Sequence, residues 1–327
     1  MATTRFSNSR IGEGFPKYQN FWDRITFLPP IAQGIWAGGS VSGGGSTNAI
    51  QKFMFSTETR TTSSSTLPVG RNAGTAMSRQ GVGGYIAAGV DTSDNYLNSI
   101  LKYVMSTEVV TTLSATLNAA IFVTGFDNTD VAGYAVGGYL PAQASVSQSA
   151  VNKLTYSSET RSVLAATYQI RGAGTTQNTN VAGYYCGGYS GSQYESTIKK
   201  MSYSTETFST AGNLTNSRII SSGIENLSTA GYSLGGINGG FTNIIQKINF
   251  SNDSISTIGA TLTYASGYVD SGVSYGSTAG YQGSSYGAST TYYTSIDKLT
   301  FSNETRSTLG AVTNPAFSST QALCQVS

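Results

Sequence analysis

Short stretches in which apolar and polar residues alternate recur along the chain. After each of six lysines, the residues one and three positions later are apolar, as Phe53 and Phe55 are after Lys52. This alternation predicts a strand with one buried face. A second kind of stretch, such as GYAVGG, carries small residues on both faces. Its composition predicts a strand near a crowded axis, where only small side chains fit.

Both stretches belong to one internal repeat of 48 to 50 residues. The small-residue segments read GIWAGG, GYIAAG, GYAVGG, GYYCGG, GYSLGG and GYQGSS, and they begin at Gly34, Gly84, Gly133, Gly183, Gly231 and Gly280. Each is followed by a motif close to I-x-K-x-x-[F/Y/M]-S-x-[E/D], whose lysines are Lys52, Lys102, Lys153, Lys200, Lys247 and Lys298. Six copies at this spacing indicate a repeat architecture.

Each unit divides into four short strands separated by turn residues, as AGTAMSR, GVGGYIAAG, ILKYVMS and TTLSATL show within residues 73–120. Six such units predict an all-β fold, a six-bladed β-propeller with four antiparallel strands per blade over residues 34–327. The first unit lacks its first strand, and the last segment, AFSSTQALCQVS, matches that missing strand. We therefore predict that the C-terminal strand closes the first blade and leaves no open sheet edge.

These motifs resemble those of kelch-type repeats. The variant G-Y-x-x-G-G followed by I-x-K-x-x-F-S-T-E-T is similar to kelch-like proteins encoded by tailed bacteriophages, marine ones especially. The resemblance covers residues 34–327 and departs from cellular kelch proteins, because Phe, Tyr or Met stands where they usually carry a third-strand tryptophan. It implies a virion structural protein, such as a tail fibre, tail-associated or capsid-decorating component.

Most charges follow the repeat. Each repeat lysine has an acidic residue six positions later, and Arg60, Arg161 and Arg306 recur eight positions after theirs. The acids are Glu58, Glu108, Glu159, Glu206, Asp253 and Glu304. Six copies favour a structural role over a binding site, and we expect a strand lysine and a turn acid that are paired locally in each blade. The repeat leaves five bases unexplained, namely Arg71, Arg79, Arg171, Lys199 and Arg218, and eight acids, namely Asp91, Asp94, Asp127, Asp130, Glu195, Glu225, Asp270 and Asp297.

Composition narrows the possible chemistry. Charged residues make up 10% of the chain and histidine is absent, which excludes His-ligated metals and His-dependent triads. The net charge of +2 provides no basic surface for nucleic acid. The first residues, MATTRFSNSR, lack the apolar core of a signal peptide, and no apolar run is long enough for membrane insertion. We expect no cofactor and no metal.

Propeller topology places the loops after the Gly-Gly strands and the loops between blades on one end of the ring, here called the loop face. The two hairpin turns of each blade lie at the other end, the hairpin face. Because binding residues concentrate in loops on rigid scaffolds, we predict a recognition surface on the loop face. Its candidate residues are Arg71, Asp91, Asp94, Tyr96, Tyr139, Arg171, Tyr189, Tyr194, Arg218, Asn238 and Tyr292. Exposed Tyr with Asn, Asp and Ser suits glycan or protein partners.

Catalysis is disfavoured. Three arginines in loops of different blades resemble a sialidase cluster only superficially, because no Ser-x-Asp-x-Gly-x-x-Trp box is present. A two-carboxylate glycosidase stays open as a less favoured alternative. Cys186 and Cys324 belong to well-separated blades, so we predict two small buried residues and no disulfide.

Residues 1–33 have a composition of their own. They are rich in aromatic residues, including Phe15, Tyr18, Phe21 and Trp22, and their four basic and two acidic residues account for the net charge. We predict an arm that attaches the ring to other virion proteins, after synthesis in the host cytoplasm. The alternative is a soluble kelch-type adaptor or a glycan-binding, lectin-like propeller.

Overall fold

The chain folds into six small antiparallel sheets arranged in a ring, a six-bladed β-propeller. This computed structural model describes residues 32–118, 122–138, 147–170, 172–219, 222–267, 272–288, 291–312, 317–318 and 321–325. The predicted arm residues Phe15, Tyr18, Phe21 and Trp22, and the predicted loop residues Tyr139 and Arg171, lie outside these ranges. The described residues contain no helix long and apolar enough to span a membrane.

Every blade is a sheet of four strands. Blade 1 contains β26 (Gln321–Gln325), β1 (Gln33–Ala37), β3 (Ile50–Met54) and β4 (Thr59–Thr62). Blade 2 contains β5 (Thr75–Arg79), β6 (Gly83–Ala87), β7 (Ser99–Val104) and β8 (Val109–Thr116). Blade 3 contains β9 (Thr124–Asn128), β10 (Ala132–Val136), β11 (Ala150–Thr155) and β12 (Thr160–Thr167).

The second half of the ring follows the same plan. Blade 4 contains β13 (Gly174–Asn178), β14 (Ala182–Tyr189), β15 (Tyr194–Ser202) and β16 (Thr207–Asn213). Blade 5 contains β17 (Ser222–Asn226), β18 (Ala230–Ile237), β19 (Phe241–Asn249) and β20 (Ile255–Ser266). Blade 6 contains β21 (Gly272–Tyr275), β22 (Ala279–Tyr286), β23 (Tyr292–Thr300) and β24 (Thr305–Val312).

The predicted closure of the ring is confirmed. The C-terminal strand β26 pairs antiparallel with β1, and Leu323 lies opposite Ile35. A further short pair, β2 (Ser40–Val41) with β25 (Phe317–Ser318), joins the two ends of the ring at a second place. Pairing of the first and last segments satisfies backbone groups that would otherwise form an exposed edge.

The Gly-Tyr strands, predicted to lie near the axis, are the second strands of their blades, one strand away from the axis. The strands that line the axis are the preceding ones, β5, β9, β13, β17 and β21, together with β26. These positions require glycine because a Cβ atom there would overlap a side chain from the inner strand of the preceding blade. The six contacts are Gly34 with Val273, Gly84 with Leu323, Gly133 with Met77, Gly183 with Phe126, Gly231 with Thr176 and Gly280 with Ile224.

The tyrosine after this glycine packs in the opposite direction, against the next blade. In five blades its ring stacks on the aromatic residue three positions after the lysine of the next repeat, with ring centroids 5.1 to 5.6 Å apart. The stacked pairs are Tyr85–Tyr156, Tyr134–Tyr203, Tyr184–Phe250, Tyr232–Phe301 and Tyr281–Phe55. Each repeat dipeptide Gly-Tyr therefore contacts both neighbouring blades.

The repeat lysines and acids also join adjacent blades, which corrects the prediction of local pairs. Each lysine binds the acid of the next repeat, and the pair that closes the ring joins the last repeat to the first. The pairs are Lys52–Glu108, Lys102–Glu159, Lys153–Glu206, Lys200–Asp253, Lys247–Glu304 and Lys298–Glu58. In the last five, the lysine nitrogen lies 2.5 to 3.0 Å from a carboxylate oxygen.

Five of these acids accept a second hydrogen bond, from the tyrosine of the Gly-Tyr strand of the preceding blade. The phenolic oxygens of Tyr85, Tyr134, Tyr184, Tyr232 and Tyr281 lie 2.8 to 3.1 Å from the carboxylates. All six acids have left-handed backbone conformations, with φ between 51° and 56°. For glutamate, the acid at five of these positions, the left-handed conformation brings no local stabilisation. The side-chain contact with the preceding blade is therefore the reason for an acid in this turn, and we call each such contact a latch.

Candidate functional site

Arg71 and Arg218, predicted as binding residues of the loop face, are buried and belong to the scaffold. Their exposed fractions are 2% and 1%. Arg71 donates to the Ala88 carbonyl oxygen at 3.2 Å, and Arg218 donates to the Gly235 carbonyl oxygen at 2.9 Å and to Gln246 Oε1 at 2.8 Å. Burial lowers the pKa of Arg71 to about 10. The Arg71 guanidinium binds the loop that follows β6, and the Arg218 guanidinium binds β18 and β19 of blade 5. The prediction that both are exposed binding residues is therefore corrected, because both are buried and bind the scaffold.

The loop after β6 presents the other predicted residues of blade 2. Asp91 accepts hydrogen bonds from the backbone nitrogens of Ser93 at 2.8 Å and Asn95 at 2.9 Å, and it also binds the Asn95 side chain. The hydrogen bonds from Asn95 hold the pKa of Asp91 below its usual range. Asp94 is exposed at the tip, with φ of 59°, and Tyr96 is 43% exposed. Asp91 therefore shapes this loop, and Asp94 and Tyr96 are accessible from solvent.

The loop face of blade 5 carries a polar cleft of about 410 Å³. Thr215, Asn216, Ser217 and Asn238 line it, and the buried Arg218 lies at its base. The Asn238 amide nitrogen donates to the backbone oxygen of Ser217 at 2.7 Å and to its hydroxyl at 3.1 Å. Hydroxyl and amide groups of this kind exchange hydrogen bonds readily with a hydroxylated ligand.

Tyrosine pairs form the aromatic part of the loop face. Tyr189 and Tyr194 meet edge to face with centroids 5.5 Å apart, and Tyr286 and Tyr292 do so at 5.1 Å. A third pair, Tyr264 with Tyr293, stacks between blades 5 and 6 at 3.8 Å. All six rings are partly accessible, and Tyr264 is 40% exposed. The structure thus brings Tyr189 to Tyr194 and Tyr292 to Tyr286, within two separate patches.

The axis of the ring contains a feature that the sequence did not single out as a site. Alternate residues of the inner strands point into a central channel, whose cavity toward the hairpin face measures about 280 Å³. The first tier consists of Ala76, Gly125, Thr175, Gly223, Gly272 and Ala322. The second tier includes Ser78, Asp127, Gln177, Glu225 and Ser274, and the third includes Gln80, Thr129, Thr179, Leu227 and Gly276.

Hydrogen bonds between blades organise the second tier. Asp127 accepts from the Ser78 backbone nitrogen at 3.2 Å, and Gln177 accepts from the Asp127 backbone nitrogen at 3.0 Å. Ser274 accepts in the same way from the Glu225 backbone nitrogen at 3.0 Å. A side chain of one blade therefore binds the inner strand of the preceding blade.

Two acids of this tier have strongly altered proton affinity. Burial raises the pKa of Asp127 to about 7, although hydrogen bonds from Gln177 and Ser78 oppose the rise. Burial, with the nearby charge of Asp127, raises the pKa of Glu225 to about 8. The sequence contains only a weak indication of this site. Both acids are among those that the repeat does not explain, and they occupy a repeat position where blades 2 and 6 carry serine.

Among the described residues, no group of three or more Cys, Asp or Glu side chains is placed to hold a metal ion. Cys186 is a free, buried cysteine, and burial raises the pKa of its thiol to about 12. A thiol of this kind packs as a small apolar residue, as predicted.

Comparison with known proteins extends the fold assignment. The solved structure of YjhT is similar to this chain, with a TM-score of 0.67 and 11% sequence identity, over 86% of this chain and 98% of YjhT. At this identity the similarity shows the propeller fold alone. No protein-family model matches the chain, and no curated protein resembles it in sequence.

Proposed function

We propose that this propeller is a non-enzymatic scaffold that presents the loop face to a partner. The supporting observation is the distribution of side chains over the ring. The repeat charges form latches and the two described loop arginines are buried, while partly exposed tyrosines and polar groups occupy the loops. Rigid aromatic side chains bind at a low cost in conformational entropy, and hydroxyl and amide groups add adaptable hydrogen bonds.

The proposed setting is the virion of a tailed phage, as a tail fibre, tail-associated or capsid-decorating component. This part rests on the resemblance of the repeat to kelch-like phage proteins. The N-terminal arm would contact other virion proteins, and the loop face would contact a host glycan, a host protein or a neighbouring subunit. The second candidate, a lectin-like or adaptor propeller outside virions, is favoured by the polar cleft beside Asn238.

Virion incorporation is tested on purified particles. We expect mass spectrometry to find the protein in particles, in a copy number that fits their symmetry. Deletion of residues 1–31, which precede the compact unit Ala32–Ser327, should abolish incorporation and leave the circular dichroism spectrum of the ring unchanged. Particles that lack the protein would refute the virion role and leave the binding role of the loop face to be tested separately.

Binding by the loop face is tested with Tyr96→Ala and Tyr292→Ala on arrays of glycans and of host surface proteins. We expect at least one of these changes to weaken binding about tenfold, since a stacked aromatic contact contributes about 0.5–1.5 kcal/mol beyond its burial. Tyr292→Phe, which keeps the ring, should lose less affinity. Val181→Ala, at a residue 52% exposed on the hairpin face, is the control and should bind normally. Equal losses in the control and the loop variants would contradict the assignment of the surface.

A further inference from the structure

The described lining of the central channel offers no positively charged side chain to balance the carboxyl groups of Asp127 and Glu225. Asp127 is 6% exposed, and Glu225 lines the same cavity from two blades further on. Thr, Ser, Gln, Gly and single apolar residues make up the rest of the described lining, which includes no lysine or arginine. This differs from the rest of the ring, where every repeat acid binds a lysine.

Glu225 also lacks hydrogen-bond donors. Its backbone nitrogen binds Ser274, but its carboxylate has no hydrogen bond or ion pair within the described residues. Asp127, in contrast, accepts from the Ser78 backbone at 3.2 Å and from the Gln177 amide at 3.2 Å. A carboxyl group that is partly withdrawn from water and has no donor binds a proton or a cation more strongly than a solvated one does.

A second polar group is unsatisfied in the same channel. Ser222, 3% exposed, lines the part of the cavity toward the loop face, and its hydroxyl has no hydrogen-bond partner among the described residues. This part shares the wall formed by Ala76, Gly125 and Thr175 with the part that contains the two acids. Buried hydroxyl groups without a partner are rare in native proteins, and a bound molecule with donors would satisfy this one.

The charged and titratable groups around Asp127 do not compensate it. Asp130 follows in the same turn, Tyr203 donates to the Asp127 backbone oxygen at 2.7 Å, and Tyr156 donates to the Ser78 backbone oxygen at 2.9 Å. Arg79, the base at the end of the neighbouring inner strand, donates to the Tyr156 backbone oxygen at 3.2 Å. The positive charge that balances the channel must therefore come from a proton or from a ligand.

We propose that the channel binds a small aliphatic diamine, whose ammonium groups are held by the carboxylates of Asp127 and Glu225. The hydroxyl and amide groups of Ser78, Gln177 and Ser274 are the neutral partners in the same tier. The cavity of about 280 Å³ accommodates a short alkyl chain more readily than a bare metal ion, which needs a close set of oxygen ligands. The site is separate from the loop face and does not depend on the role proposed for it.

The test is isothermal titration calorimetry of the full-length protein at pH 8.5 with putrescine, with ethylenediamine and cadaverine as probes of length. We expect one site per chain and at least a tenfold loss of affinity in Glu225→Gln and in Asp127→Asn. Glu195→Gln, which removes an acid of the loop face, is the matched control and should bind as the parent protein does. Butane-1,4-diol, which has the length of putrescine without its charge, should not bind.

A second measurement needs no variant. Because Asp127 and Glu225 bind protons near neutral pH, the diamine must displace a proton from each, and affinity should fall more than about a hundredfold between pH 8.5 and pH 6. The heat should then depend on the ionisation enthalpy of the buffer. Equal binding of butane-1,4-diol, unchanged affinity in both channel variants, or no binding of any diamine would overturn the proposal. Calcium that competes at the same site with higher affinity would overturn it in favour of a metal.

Discussion

Gly183→Val is expected to lower the free energy of unfolding by about 3 kcal/mol. The added Cβ atom would overlap the ring of Phe126, which projects from the inner strand of blade 3. Strand β14 is hydrogen-bonded to β13 and β15 on its two sides, so it cannot move away without breaking the sheet. Gly183 does not have a left-handed backbone conformation, so the expected loss comes from packing between blades and not from backbone strain.

Gly259→Val provides the control, because a Cβ atom there meets nothing within 4 Å. Valine also has the higher strand propensity, so this change should leave stability nearly unchanged or raise it slightly. Urea denaturation of the two variants gives the comparison. In the double variant Gly183→Ala with Phe126→Ala, the added methyl group has room, and the two losses should be less than additive. Similar losses for Gly183→Val and Gly259→Val would show that the glycine does not serve the contact between blades.

Glu108→Gln is expected to cost about 2 kcal/mol, because the change leaves a half-buried charge without its partner. Glu108 binds Lys52 of the preceding blade, and it also accepts from the Ser63 hydroxyl at 2.6 Å and the Ser64 backbone nitrogen at 2.8 Å. The hydrogen bond from Lys52, followed by that from Ser63, lowers the pKa of Glu108 to about 2. Chemical denaturation at pH 7 measures the loss, and the exposed Asp94→Asn is the control.

The ion pair between Glu108 and Lys52 should lose its stabilising contribution in acid. A carboxyl group whose pKa is lower in the folded than in the unfolded state contributes its stabilisation above its ordinary pKa of 4.5. That contribution disappears as the pH falls from about 4.5 toward 2. The difference in stability between the parent protein and Glu108→Gln should therefore be full at pH 6 and shrink below pH 4. A difference that stays constant down to pH 2.5 would contradict a charged latch.

The channel acids respond to pH in the opposite direction. Their pKa is raised in the folded state, so they lower stability as the pH rises from about 4 to about 8. The latches therefore set the acidic limit of the pH range of greatest stability, and the channel acids set its alkaline limit. The first effect arises in contacts between blades and the second in the burial of the two channel acids.

Several elements were predictable because they depend on spacing alone. A repeat of 48 to 50 residues with alternating apolar positions fixes the number of strands and blades, and the missing first strand of the first unit predicts the pairing of β26 with β1. The structural role of the lysines and acids also followed, because six equivalent copies are not needed for one ligand. The tyrosine-containing loops were assigned to one face from the order of strands in a blade.

Other features could not be inferred because they depend on which blade packs against which. The partner of Lys52 is Glu108 of the next repeat and not Glu58 of its own, since both acids occupy equivalent turns and only the twist of the sheets decides which is near. Arg71 occupies a variable loop in the sequence, yet its side chain is buried and binds the Ala88 carbonyl oxygen and the Ser99 hydroxyl.

The sequence by itself determined six four-stranded blades, their closure and the residue types of the repeat, because hydrogen-bonding period and turn spacing are local properties of the chain. The tertiary structure alone decided the contacts between blades, the burial of the loop arginines and the placement of Asp127 and Glu225 in one channel. These last two residues lie almost one hundred positions apart, and they share a cavity because a closed ring brings all inner strands to one axis.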